Sequence, residues 1–139
     1  MKVKLRDIDE CDEFYRKLIG NVRLSHEKVY EVIEIQRTSY RIENDEGEPG
    51  LCDKRIFKIL DPSIPKDYIY QFNFDDSDET HEDEEGFIWR NFEEEYNITP
   101  KCFAQRAFFD FYFDKHAEQV AIYNEYIKRR KASNINKIF

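Results

Sequence analysis

Apolar and polar residues alternate along K-V-Y-E-V-I-E-I from Lys28 to Ile35, with Val29, Glu31, Ile33 and Ile35 on one face and Tyr30, Val32 and Glu34 on the other. A period of two predicts a β-strand. Tyr40 to Glu43 continues the signal and Asn44 to Gly50 is a turn rich in Asp, Gly and Pro. Leu51, Cys52, Ile56, Phe57, Ile59 and Leu60 then close a set of antiparallel strands. Upstream, Val3 and Leu5 alternate with Lys2, Lys4 and Arg6 and predict a short first strand. Cys11, Phe14, Tyr15, Leu18 and Ile19 fall at helical spacing after Asp9, with Gly20 and Asn21 as a stop.

The second half reads differently. LDPSIPKDYIY, from Leu60 to Tyr70, holds two prolines and no sustained period, which predicts an extended connector. Asp75 to Glu85 follows with eight acidic residues in eleven and no base. Gly86 opens FIWRNFEEEY, where Ile88, Trp89, Phe92 and Tyr96 are spaced as one helical face. Thr99 and Pro100 suit an N-cap and first turn, and AFFDFYF from Ala107 to Phe113 reads as core. Asp114 is placed to cap a last helix with Ala117, Val120, Ala121, Tyr123, Tyr126 and Ile127 as its apolar stripe. Lys128 to Lys131 suit that helix's C-terminus electrostatically. Ten of the twelve Phe residues lie from Phe72 onward, so this half is expected to pack on the sheet. The whole is read as one domain: a β part over 1–62 with a helical insertion at 9–19, a connector and acidic loop over 63–85, a helical part over 86–131 and a flexible tail over 132–139.

The run Lys28 to Ile35, Y-R-I at Tyr40 to Ile42, the turn N-D-E-G-E at Asn44 to Glu48 and the closing K-R-I-F-K-I-L from Lys54 to Leu60 resemble small SH3-like barrel proteins of Gram-positive bacteria and their mobile elements. The resemblance covers about a quarter of the chain and is carried by structural motifs. It implies an α+β fold in which an SH3-like antiparallel β-barrel packs with C-terminal helices. That family is functionally uncharacterised and lends no site residues.

Charge narrows the function. The 139 residues carry 22 Lys and Arg against 30 Asp and Glu, a formal net charge of -8. Coating nucleic acid needs the opposite balance, so a nucleic-acid partner is not expected and a basic protein partner is. The eight acidic residues of Asp75 to Glu85 account on paper for the whole net charge. No apolar run approaches the roughly 20 residues needed to cross a bilayer, and MKVKLRDIDECDEF has no apolar leader core. A cytoplasmic protein without a membrane partner is the expectation. Cys11, Cys52 and Cys102 are odd in number and widely spaced, with no CxxC, as reduced thiols would be.

Catalytic and cofactor chemistry finds little purchase. Asp75, Asp76, Asp78, Glu79, His81, Glu82 and Asp83 gather oxygen ligands around an imidazole, but the glycine and the ordered carboxylates of a calcium loop are missing. Asp114, His116 and Glu118 alternate as ligands could, at a helix start where capping explains them. Cys52 and Cys102 have no local His, the three histidines His26, His81 and His116 are far apart in sequence, and the four glycines form no phosphate loop. Neither a metal nor another cofactor is expected, nor an enzymatic activity. Trp89 reads either as the core anchor of its segment or as an aromatic anchor beside an acidic rim. The expected partner-binding residues are therefore Asp75, Asp76, Asp78, Glu79, Glu82, Asp83, Glu84, Glu85 and Trp89. The expected function is inhibition of a basic toxin, such as a nuclease, by an immunity or antitoxin-type protein. The alternative is an SH3-like module of a phage or mobile-element complex.

Overall fold

Strand β1 (Lys2–Leu5) turns Val3 and Leu5 into the core, as their alternation with lysines requires. The computed structural model describes residues 1–10, 12–74, 80–82, 84–86, 88–90, 94–105 and 107–136. It divides the chain into two units, Met1–Thr99 and Pro100–Phe139.

In the first unit, helix α1 (Glu13–Asn21) starts later than its apolar spacing suggested. The Asp12 carboxylate caps it, accepting the Tyr15 N–H at 3.0 Å. Gly20 and Asn21 belong to its last turn, and Val22 ends it with an N–H bond to the Ile19 carbonyl. Ile19 is buried, a gain of roughly 1.5–3 kcal/mol for a side chain of that size, and Tyr15 and Leu18 pack on the core beside it. Phe14 stays 56% exposed.

Strands β2 (Tyr30–Gln36), β3 (Ser39–Glu43), β4 (Pro49–Asp53) and β5 (Phe57–Asp61) follow the predicted β segments. The closing run K-R-I-F-K-I-L is not one strand, because Lys54–Ile56 forms a 3-10 turn between β4 and β5, with the Asp53 carboxylate accepting the Arg55 N–H at 2.9 Å. The two-faced alternation of β2 also breaks. Its register against β3 shifts between Val32 and Glu34, and from there Val32, Ile33, Glu34 and Ile35 are all buried. A bulge re-aims side chains in this way. The β3–β4 turn is closed by Asn44, whose side-chain oxygen accepts the Glu46 and Glu48 N–H groups at 3.0 Å each. Gly47 takes φ +78 there, a conformation that favours glycine.

Beyond β5 the structure corrects the sequence reading. The connector contains strand β6 (Tyr68–Phe74), and the segment expected to be helical from Gly86 holds strands β8 (Ile88–Arg90) and β9 (Glu94–Pro100). β8 pairs antiparallel with β7 (Thr80–Glu82), while β9 pairs with β2 and β6. Tyr96 and Ile98 also satisfy a period of two, and aromatic and β-branched residues favour a pleated surface once a neighbouring strand is available. Thr99 and Pro100 accordingly end a strand; Pro100 precedes a 3-10 turn (Lys101–Phe103) without a side-chain cap.

The seven-stranded sheet runs β4-β3-β2-β1-β5, with β9 added on β2 and β6 on β9. One edge of β2 is shared: Tyr30 and Glu31 face β1, whereas Ile35 and Gln36 face β9. The fold is thus α+β with an antiparallel sheet, but the sheet is not closed into a barrel, since no pairing joins β4 to β5 among the described residues.

The second unit is helical. α2 (Phe108–Phe113) and α3 (Ala117–Asn136) enclose an aromatic cluster in which the Phe103 ring lies 4.8 Å from Phe108, 5.4 Å from Phe109 and 4.9 Å from Tyr126. Asp114 does not cap α3; it is the C-cap of α2. The Lys115 N–H bonds to the Tyr112 carbonyl and the His116 N–H to the Phe111 carbonyl, at 3.0 Å each, with the His116 and Phe111 rings 4.9 Å apart. These are the two bonds and the apolar contact of a Schellman ending, and Lys115 holds the left-handed position at φ 62. Ala132 to Asn136, expected as a loose tail, continue α3.

Candidate functional site

Two features of the first unit merit chemical scrutiny. The first is the acidic segment. Asp75, Asp76, Asp78, Glu79 and Asp83 lie outside the described residues. Glu82 ends β7 opposite Ile88, and Trp89 sits on β8 opposite His81, so the described end of the acidic segment and the tryptophan belong to one antiparallel hairpin and not to a loop leading into a helix. Glu84 and Glu85 are exposed in the turn between these strands. The structure therefore brings Glu82, Glu84, Glu85 and Trp89 into one short hairpin.

Charge is also divided between the units. Eight of the 22 basic residues but only four of the 30 acidic ones lie from Pro100 onward, which leaves Met1–Thr99 at -12 and Pro100–Phe139 at +4. The sheet unit is the acidic body.

The second feature was not foreseen. Tyr40 on β3 is buried, its ring 6.0 Å from Phe57, and burial pushes its hydroxyl above the ordinary phenol range, with Tyr96 adding to the shift. Lys54, at the start of the 3-10 turn, holds its Nζ 5.4 Å from the Tyr40 ring centre and 5.6 Å from that of Tyr96, and bonds the Tyr96 hydroxyl at 3.4 Å. Tyr96 on β9 stacks on Tyr70 of β6, centroids 5.8 Å apart and planes 15° apart. Tyr70 is 60% exposed. The only signal in the sequence was the alternation of Tyr68 with Tyr70 and of Tyr96 with Ile98 on two strands separated by the acidic segment.

Beneath the site lies a buried polar network. Arg41 Nε donates to Glu34 Oε1 at 2.9 Å and its Nη1 donates to the Pro49 carbonyl at 2.9 Å, with both side chains under 10% exposed. Gln36 and Asn97 donate to the same carboxylate at 3.0 and 2.9 Å. This ties β2, β3, β4 and β9 together, and it fixes the frame from which Tyr96 projects.

The remaining candidates separate. Cys52 is buried and its thiol is pushed up to about 11, chiefly by loss of solvent, against a smaller opposing effect of Arg41. That thiol stays protonated at neutral pH and is no nucleophile. Cys102 is exposed on the 3-10 turn beside buried Phe103, and Cys11 is outside the described residues. No three His, Cys, Asp or Glu side chains among the described residues are grouped to hold a metal ion. Asp114, His116 and Glu118 are exposed. No helix of the described residues is long and apolar enough to cross a membrane.

No protein-family model, curated protein or solved structure matches the chain.

Proposed function

We propose that this chain is a stoichiometric, non-enzymatic binder of a basic protein, and in its concrete form an immunity or antitoxin-type inhibitor of a basic toxin such as a nuclease. The observation that carries the reading is the division of charge. With -12 on Met1–Thr99, the sheet unit presents a field that attracts a positive surface, and the exposed Glu84 and Glu85 extend that field to the tip of a hairpin. A nuclease cleft shaped for phosphates is such a surface. Affinity capture with the intact chain from its native host tests this directly. Recovery of a basic protein in one-to-one stoichiometry is expected, and recovery of acidic partners alone would defeat it.

The finer fold reading is an SH3-like barrel. It is supported by the path β4-β3-β2-β1-β5, by the split pairing of β2 and by the 3-10 turn that links β4 to β5, the two ends of that path. An experimental structure in which β4 and β5 splay apart as an open sheet would argue against it. On that fold a second function follows, an interaction module of a phage or mobile-element complex, and the exposed Tyr70–Tyr96 stack favours it as a contact surface independent of the acidic hairpin. A captured partner whose binding is insensitive to salt would select this reading.

A further inference from the structure

Tyr70 and Tyr96 stand on strands β6 and β9, outside the five-strand path, and their stack is built from beneath. The Lys54 ammonium lies 5.4 Å from the Tyr40 ring centre and 5.6 Å from that of Tyr96 and bonds the Tyr96 hydroxyl, so the inner ring is held by Lys54 and by Tyr70 while the outer one remains 60% exposed. Tyr70 is the most exposed of the large apolar side chains among the described residues. A ring presented in this way loses little side-chain freedom when a partner covers it, which is the property that makes tyrosine a good anchor.

Planar groups that stack on a tyrosine face are nucleobases, other aromatic rings and the arginine guanidinium. A nucleobase arrives with its phosphates, which a unit of charge -12 repels. The same field draws a cation. Of the two basic side chains, arginine carries a planar, weakly hydrated group that lies flat on a ring, whereas the lysine ammonium is a strongly hydrated point charge.

We infer that the Tyr70 face is the docking point for an arginine side chain of the basic partner. The inference rests on the basic-partner reading above and names the contact by which such a partner is read.

The probes are hexa-arginine and hexa-lysine peptides, titrated at low salt into the full chain with isotope-labelled tyrosines and followed by NMR. Hexa-arginine is expected to shift the Tyr70 ring signals and to bind about three- to five-fold more tightly than hexa-lysine, the size of an exposed cation–π contact. Tyr70→Ala should abolish that preference, and Tyr70→Phe, which keeps the ring, should retain it. Equal affinity for the two peptides, or a preference that survives Tyr70→Ala, overturns the arginine contact while leaving salt-dependent binding of cations, and with it the basic-partner reading, intact. If neither peptide binds, the basic-partner reading falls and the inference with it. Oligothymidylate that binds and shifts the Tyr70 ring would assign the face to a nucleobase and overturn the inference as well.

Discussion

The Tyr30 hydroxyl donates to Asp45 Oδ1 at 2.7 Å, joining the start of β2 to the turn between β3 and β4. Ser25 donates to the other carboxylate oxygen at 2.6 Å, Lys28 reaches Oδ1 at 3.4 Å, and the Ser25 N–H donates to the Tyr30 hydroxyl at 2.7 Å. Arg23 pairs with Glu46 alongside. One carboxylate thereby fastens the long segment between α1 and β2 onto the sheet.

The hydrogen bond from Ser25, followed by that from Tyr30, holds the Asp45 carboxyl below its ordinary value of 3.8. A depressed folded value contributes stability that is fully present above the unfolded value and is lost as pH falls through the folded one. Asp45→Asn should therefore melt at a lower temperature than the parent at pH 7. The gap should close as the pH is taken below 3.8. Thermal melts of both proteins between pH 7 and pH 3 check this; a gap that does not change with pH would mean that the charge is not what holds the segment.

Glu34 and Arg41 are buried together, so removing one leaves the other charged and without its main partner. Glu34→Ala should cost about 3–5 kcal/mol, whereas the apolar double replacement Glu34→Leu with Arg41→Met should cost much less. Val32→Asp and Ile33→Asp should prevent folding outright, because Val32 at the edge of the bulge and Ile33 within it are both buried and would hold an unpaired carboxylate. Urea titrations separate these cases.

How much of this was legible depends on which contacts decide each element. The strands from Lys2 to Leu60 were readable because alternation, turn residues and β-branched side chains all agree there. From Tyr68 to Pro100 they do not. The spacing of Ile88, Trp89, Phe92 and Tyr96 fits a helix by count, and the pairing of β8 with β7 and of β9 with β2 and β6 makes Ile88–Arg90 and Glu94–Pro100 strands instead. Asp114 shows the same ambiguity at smaller scale, since an Asp between two helices can serve either, and the left-handed turn at Lys115 settles it in favour of the first. The acidic segment was visible as composition. The Tyr70–Tyr96 stack was not, because neither residue is remarkable until two distant strands are placed side by side.

Lys115 holds a left-handed conformation that glycine adopts without penalty. Lys115→Gly should keep both bonds of the helix ending and relieve a backbone cost of roughly 1–2 kcal/mol, offset in part by the greater freedom of glycine in the unfolded chain. A net gain of about 0.5–1 kcal/mol in denaturant titrations is the expected result. A loss would place the Lys115 side chain among the contacts that hold the ending.

Thiol reactivity should follow burial. In a Cys11→Ser background, Cys102 should react with an aromatic disulfide reagent at pH 8 within minutes, while Cys52, whose thiol titrates near 11, should react only after unfolding. Two fast thiols in the folded protein would contradict the placement of β4 in the core.

The acidic segment gives the sharpest test of function. Changing Asp75, Asp76, Asp78, Glu79, Glu82, Asp83, Glu84 and Glu85 to Asn or Gln removes eight like charges from eleven residues. Such charges repel one another, so the melting temperature should not fall. If the segment steers a basic partner, association should slow severalfold and its salt dependence should flatten, since attraction over that range is screened within about 8–10 Å at physiological ionic strength. Dissociation should change less, because steering acts before contact forms. Stopped-flow association with the captured partner, at low and high salt, reads all three quantities. An unchanged rate and salt slope would strip the segment of its role and turn the search for the contact surface to the Tyr70 face.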